Sequence, residues 1–218
     1  MLLRKADVVD GALKLLDAEG LDGLTMRKLG AALGVQGGAL YRHFPSKEAL
    51  LDAMADKLTE EFLADPLPDV PWRDQIRILG DRARTALLAH RDGARVVAGT
   101  FAPGPSTITA GDLSVKILCR AGLAPAQAGW LAFALMYYVL GHIIEEQAEA
   151  RLPAGDDWRS RNARIETEVS PQYVEAMDSV TSTDPAERFA YGLNVFIEGI
   201  ASQIPPAGQR RTVRRAAR

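Results

Sequence analysis

The 218-residue chain has little cysteine and little histidine: one Cys, at position 119, and three His, at 43, 90 and 142. A single cysteine permits no intrachain disulfide, which excludes the cystine-stapled secreted folds. The same shortage leaves few nucleophile–base pairs and few metal ligands. The sequence contains no HExxH, GxSxG, GxxxxGK or GxGxxG signature either. No run reaches ~18 apolar residues without a charge, the length a membrane span requires. The longest candidate, residues 128–144, is uncharged, carries Gly129, Trp130, Tyr137, Tyr138 and His142, and is expected to be a buried helix. The first residues lack the apolar core of a secretory signal, so a cytoplasmic protein with no membrane partner is expected. An excess of one charge is also missing, since the net charge is only −2.

That small net charge hides a distribution. Residues 1–50 sum to +1, residues 51–204 to −8 and residues 205–218 to +5. A polyanionic partner would therefore meet an end of the chain rather than its middle. At 47% hydrophobic and 25% charged, the composition is that of an ordinary globular protein long enough to bury its own core.

Apolar residues recur at helical spacing almost everywhere, and no alternating strand run or internal repeat interrupts them. Val9, Ala12, Leu13 and Leu16 share one face of a first helix, which Gly20 stops. Thr25 caps a second helix ending at Gly34, and a third short piece runs to Phe44. Ser46 caps a long fourth helix with Leu50, Leu51, Met54, Ala55, Leu58 and Phe62 in one stripe. Pro66, Pro68 and Pro71 mark a linker. Further helices are predicted over about residues 76–91, 93–98, 106–121 (capped by Ser106), 125–150, 173–180 and 185–204. The fold class is all-α. An N-terminal three-helix helix-turn-helix occupies residues 1–50, a helical ligand-binding and dimerisation domain residues 51–204, and a basic, disordered tail residues 205–218. Five arginines in that tail are either solvated or within reach of DNA phosphates.

The most informative stretch is LTMRKLGAALGVQGGALYRHFPSK, residues 24–47. Two short helices meet at a glycine turn, Gly34-Val35, with Leu29, Leu33 and Leu40 facing inward. A helix-turn-helix has this geometry, and its second helix enters the major groove of double-stranded DNA. Thr25, Arg27, Tyr41, His43 and Lys47 stand where phosphates would lie. An ordinary helical hairpin with solvated charges has the same periodicity.

The literal residues go further. GALYRHFPSKEALL (residues 38–51), preceded by LTMRKLGAALGV (residues 24–35), closely resembles the DNA-binding domain of the TetR family of bacterial repressors. HRDGARVVAGT (residues 90–100) and LGHIIEEQ (residues 140–147) look like the ligand-binding core of that family's tetracycline-responsive branch. The resemblance implies a homodimer with two DNA-binding heads, a palindromic operator as partner, and a small-molecule inducer held in each body. It implies no cofactor and no catalysis. A small helical enzyme or an interaction module is the alternative reading.

By family position, Arg27 either reads a guanine or binds phosphate, and Gln36 either reads an adenine or substitutes for an N-cap. Gly37 and Ala39 face the groove but offer no side-chain hydrogen bond. Tyr41 contacts phosphate or packs under Leu40. Arg42 lies on the exposed side of that turn, and His43 and Lys47 position the head through phosphates. In the body, Val97 stands where the resemblance expects a magnesium-assisting histidine, and a valine cannot hold a hard cation. Glu145 matches an accompanying carboxylate, which alone makes a poor site, so no metal is expected. Leu63, Phe101, Phe133 and Met136 replace polar pocket positions, with Tyr137 and Glu145 left to orient the ligand. That set predicts a mostly apolar, ring-bearing inducer. His142 is expected as a hydrogen-bonded core histidine, Cys119 as a buried small hydrophobe, and Glu145, Glu146 and Glu149 as a solvated face. Leu131, Leu135, Val139, Leu193, Phe196, Ile197 and Ile200 are the predicted dimer contacts.

Overall fold

The computed structural model describes residues 3–100, 103–152 and 169–204, and every regular element among them is an α-helix. Phe101 and the basic tail lie outside the described residues.

The head is three helices. Val8, Val9, Ala12, Leu13 and Leu16 form the buried face of α1 (Lys5–Gly23), whose regular winding breaks at Gly20, φ 75° and ψ 173°. In α2 (Met26–Ala32) the Thr25 hydroxyl accepts the Lys28 N–H at 3.2 Å, a cap worth about 1 kcal/mol. Gly34 then turns the chain at φ 65°, a conformation costly for a residue with a Cβ, and the Val35 N–H closes the turn on the Gly30 carbonyl at 2.9 Å. α3 (Gly37–Tyr41) is a little more than one turn, anchored by the fully buried Leu40.

Ser46 caps α4 (Lys47–Leu63) by accepting the Ala49 N–H at 3.2 Å. The linker that follows is pinned by Arg82, which donates to the carbonyls of Asp65 and Pro66. The body comprises α5 (Trp72–Leu88), α6 (Gly93–Ala98), α7 (Pro105–Ala121), α8 (Pro125–Glu149), α9 (Pro171–Ser182) and α10 (Pro185–Ser202).

Two apolar clusters hold these helices. The first joins α1, α2, α3 and α4 to Leu87, Ala94 and Val96 around α5 and α6, and to Leu140 and Ile143 of α8. It runs without a break across the boundary expected at residue 50. The second packs Ile76, Ile117, Leu118, Ala128, Leu135, Phe189, Leu193, Ile197 and Ile200, from α5, α7, α8 and α10.

Several expectations change here. Leu135, Leu193, Ile197 and Ile200 are buried in the chain's own second core and so are not a dimer surface, while Leu131, Val139 and Phe196 are half-buried and pack against that core. α8 is not a buried helix: 22% of its most apolar 18-residue window is buried. Cys119 is half-buried beside the second core. α7 begins one residue before Ser106, which therefore is not its N-cap.

Candidate nucleic-acid interface and ligand cavity

On the head, residues 24–47 hold four Lys or Arg and no carboxylate. Arg27 at the start of α2 and Arg42 just past α3 are exposed, with no side-chain partner among the described residues. Tyr41 is 52% exposed, so it does not pack under Leu40. Gln36 occupies the N-cap position of α3, yet its side chain makes no capping bond and stays available. Gly37 is exposed and Ala39 half-buried, leaving the start of α3 low in relief. His43 is half-buried. Lys47 extends its ammonium to 3.5 Å from the Leu21 carbonyl, bracing the end of α1 as well as facing outward. Thr25 serves as the cap described above and sits at the same surface. The nine residues expected at DNA thus fall between the cap of α2 and the start of α4.

Two acids of the head, Asp17 and Asp22, are engaged with the body. At the last turns of α1, Asp17 accepts the Arg91 N–H at 3.0 Å and meets His90 Nδ1 at 3.1 Å. Arg91 also donates to the Ala18 carbonyl at 3.2 Å, and Arg95 donates to Asp22 at 3.4 Å. Glu19 pairs with Lys28. At the centre is Asp92, 2% exposed and in the left-handed region at φ 60°. Its carboxylate accepts the Leu21 N–H at 2.9 Å and a hydrogen bond from Arg95 at 3.1 Å, and it pairs with Arg151 beyond the end of α8. Gly20 makes room for this clasp, because a Cβ there would stand 3.0 Å from both Arg91 Nε and Asp92 Oδ2. Burial alone would push the Asp92 carboxyl up, but the donors from Leu21, Arg151 and Arg95 outweigh it and hold the group below the usual aspartate range.

In the body, a cavity of about 640 Å³ opens between α8, the end of α9 and the start of α10. Tyr138, His142, Glu145, Glu146, Arg188 and Leu152 are among its walls. The Tyr138 hydroxyl donates to the Phe189 carbonyl at 2.7 Å. Glu146 pairs with Arg84, and Glu149 with Arg188 at 2.6 Å, so two of the three glutamates expected on a solvated face are held in ion pairs. Glu145 is exposed and unpaired among the described residues. The buried Nδ1 of His142 has no hydrogen-bond partner, contrary to the expected satisfied core histidine. Burial pushes its pKa down, opposed by Glu146 and reinforced by Arg188 and Arg84. No group of three or more potential metal ligands occurs among the described residues.

The expected ligand residues do not converge. Glu145 lines the cavity, and Leu63 is half-buried at the end of α4. Phe133, Met136 and Tyr137 are 57%, 39% and 64% exposed. Phe133 and Tyr137 lie three and seven residues from Trp130, 74% exposed, on one stripe of α8 that faces away from the buried Leu135. On α10, Tyr191 and Val195 are similarly exposed, at 75% and 57%.

Residues 8–54 match the model for bacterial regulatory proteins of the tetR family, and residues 65–204 match the tetracyclin repressor-like C-terminal domain. The chain belongs to the tetR family. Its relatives include the class A tetracycline repressor protein from transposon 1721 of Escherichia coli, 38% identical over 205 residues and 92% of each chain. Among solved structures, Streptomyces coelicolor ActR in complex with actinorhodin superposes with a TM-score of 0.82 at 27% identity, covering 94% of this chain and 99% of that one. BioQ with its double-stranded DNA operator gives a TM-score of 0.68 at 31% identity, covering 92% and 99%.

In this tetR-family chain, the head's helix-turn-helix was legible from the motif. The Asp17–Asp22 and His90–Arg95 clasp was not, since its halves are separated by about 73 residues. The HRDGAR run was visible, but its partners on α1 carried no local signal.

Two outcomes follow from these electrostatics. Asp92→Ala leaves the half-buried Leu21 N–H without its acceptor and should cost about 1–3 kcal/mol at pH 7, read from the urea midpoint. Because the folded Asp92 pKa is depressed, the stability lost is the part present above about pH 4 and lost on further acidification, so wild type and variant should converge there. His142 behaves oppositely. Its folded pKa is lowered, so the unfolded chain takes up the proton first and stability falls as pH drops below about 6.5. His142→Phe should flatten the change in Tm between about pH 5 and 7, and an unchanged slope would contradict the assignment.

Proposed function

We propose that the chain is a ligand-responsive transcriptional repressor that acts by binding, without catalysis, in the cytoplasm. Residues 1–50 form its DNA-binding head and residues 51–204 its ligand-binding and dimerisation body. The observation that carries this reading is the head surface: an α2–α3 segment, residues 24–47, that contains no carboxylate and bears unpaired Arg27 and Arg42, on a head whose Asp17 and Asp22 are turned to the body. Such a face suits a polyanion, and the short α3 suits a major groove. Arg27 and Gln36 are the side chains able to read base edges, and Gly37 and Ala39 allow close approach. Thr25, Tyr41, Arg42, His43 and Lys47 set the register through phosphates. The operator-bound relative supports this assignment.

Dimerisation rests on the exposed aromatic stripe of α8, Trp130, Phe133 and Tyr137, together with Tyr191 and Val195 of α10. Monomeric soluble proteins rarely expose a continuous patch of this kind, and two such helix pairs would close a four-helix interface. Two heads then require a palindromic operator. The released state is set by a small, mostly apolar, ring-bearing molecule, with Glu145 and Leu63 as candidate contacts and the Tyr138–His142 cavity as its polar rim. Val97 argues against a magnesium-borne ligand. The actinorhodin complex of ActR supports a ring-bearing ligand class.

A duplex selected from a random library tests the head. Arg27→Ala should weaken binding by about 1–3 kcal/mol and relax preference at one position, if it reads a base. Lys47→Ala should weaken all sequences alike and reduce the salt slope by about one unit. Both binding like wild type would remove the α2–α3 assignment. For the dimer, light scattering at micromolar concentration should give about twice the 23.6 kDa chain mass. Phe133→Asp or Tyr137→Asp should return the mass to that of one chain, and a monomeric wild type would overturn the interface.

A further inference from the structure

α7 begins at Pro105 behind Gly104, which has no side chain to cap it. The first N–H groups of a helix need partners, and these find theirs on another helix. Asp56, midway along α4, accepts the Ser106 N–H at 2.8 Å and the Thr107 N–H at 3.0 Å from the same oxygen, with the Thr107 hydroxyl at 3.4 Å. A Cβ on residue 104 would stand 2.4 Å from Asp56 Cγ, so only glycine admits the carboxylate. From 50 residues away Asp56 thus does what an N-cap side chain does locally, with its negative charge at the positive end of α7.

The two tied helices belong to different cores. α4 carries Leu50, Met54 and Leu58 in the cluster shared with the head, whereas α7 contributes Ile117 and Leu118 to the second, body-only cluster. We propose that Asp56 is a positioning residue that couples α7 to the DNA head, so that a displacement of the body's α7 is imposed on α4 and on the angle of the head. Asp56 touches neither DNA nor ligand in this role, and the proposal rests on the DNA-binding reading above.

Coupling between two binding events is reciprocal, so DNA at the head must alter α7 if α7 alters the head. The test is hydrogen exchange on the full chain, free and bound to a duplex selected by wild type from a random library. In wild type, DNA should change exchange in residues 109–121, beyond any amide Asp56 touches, on the order of fivefold, the lower end of ordinary coupling. Asp56→Ala should bind the duplex like wild type and lose that difference, while Asp56→Asn, which keeps the acceptor, should retain it. Gly104→Ala, whose added Cβ displaces the carboxylate, should also lose it and serves if Asp56→Ala fails to fold. A difference in residues 109–121 that persists in Asp56→Ala, or is absent from DNA-bound wild type, overturns the proposal. So does a loss of protection confined to residues 106 and 107, which marks a local cap only. A wild type that selects no duplex overturns the DNA-binding reading itself and the proposal with it.

Discussion

Met54 and Leu58 are fully buried on α4, in a cluster that also contains Leu16, Leu29 and Leu40 of the head and Val96, Leu140 and Ile143 of the body. One apolar core therefore crosses from the head helices into the body, with α4 contributing to both sides. Close-packed interiors do not deform continuously, so α4 cannot turn without repacking both sides. The position of α3 is set by this constraint, since Leu40 is its one fully buried anchor.

The polar contacts make sense against that shared core. The clasp around Asp92 ties α1 to the α5–α6 corner and, through Arg151, to the end of α8. The cavity beside Tyr138 and His142 lies along the same C-terminal half of α8. A molecule settling there acts on α8 near the element that holds Asp92, and a ligand can shift the heads only by its differential affinity for their two arrangements. A buried, hydrogen-bonded carboxylate in a left-handed backbone suits such a junction, because it is costly to leave half-satisfied.

The helices, the turn at Gly34 and the caps at Thr25 and Ser46 were legible in the sequence, because each is written in residues one to four positions apart. The residues expected at DNA were drawn from the same short-range motif. Cross-chain features were not. Nothing local announces that Asp56 caps α7, that Asp17 waits for Arg91, or that Glu146 is taken by Arg84. The apolar character of α8 was plain, but which face met which neighbour was not. An all-round apolar helix has no periodic signal to separate core from interface, and Phe133, Met136 and Tyr137 were placed inward on composition and resemblance when the helix turns them outward.

The account stands most directly on how the full chain sits on DNA. Hydroxyl-radical footprinting on an end-labelled duplex the protein selects reads this without a known inducer. Two heads joined through paired bodies predict two protected patches on the same face of the duplex, related by a twofold axis and about one helical turn apart. A single patch, or protection unrelated by symmetry, would contradict it.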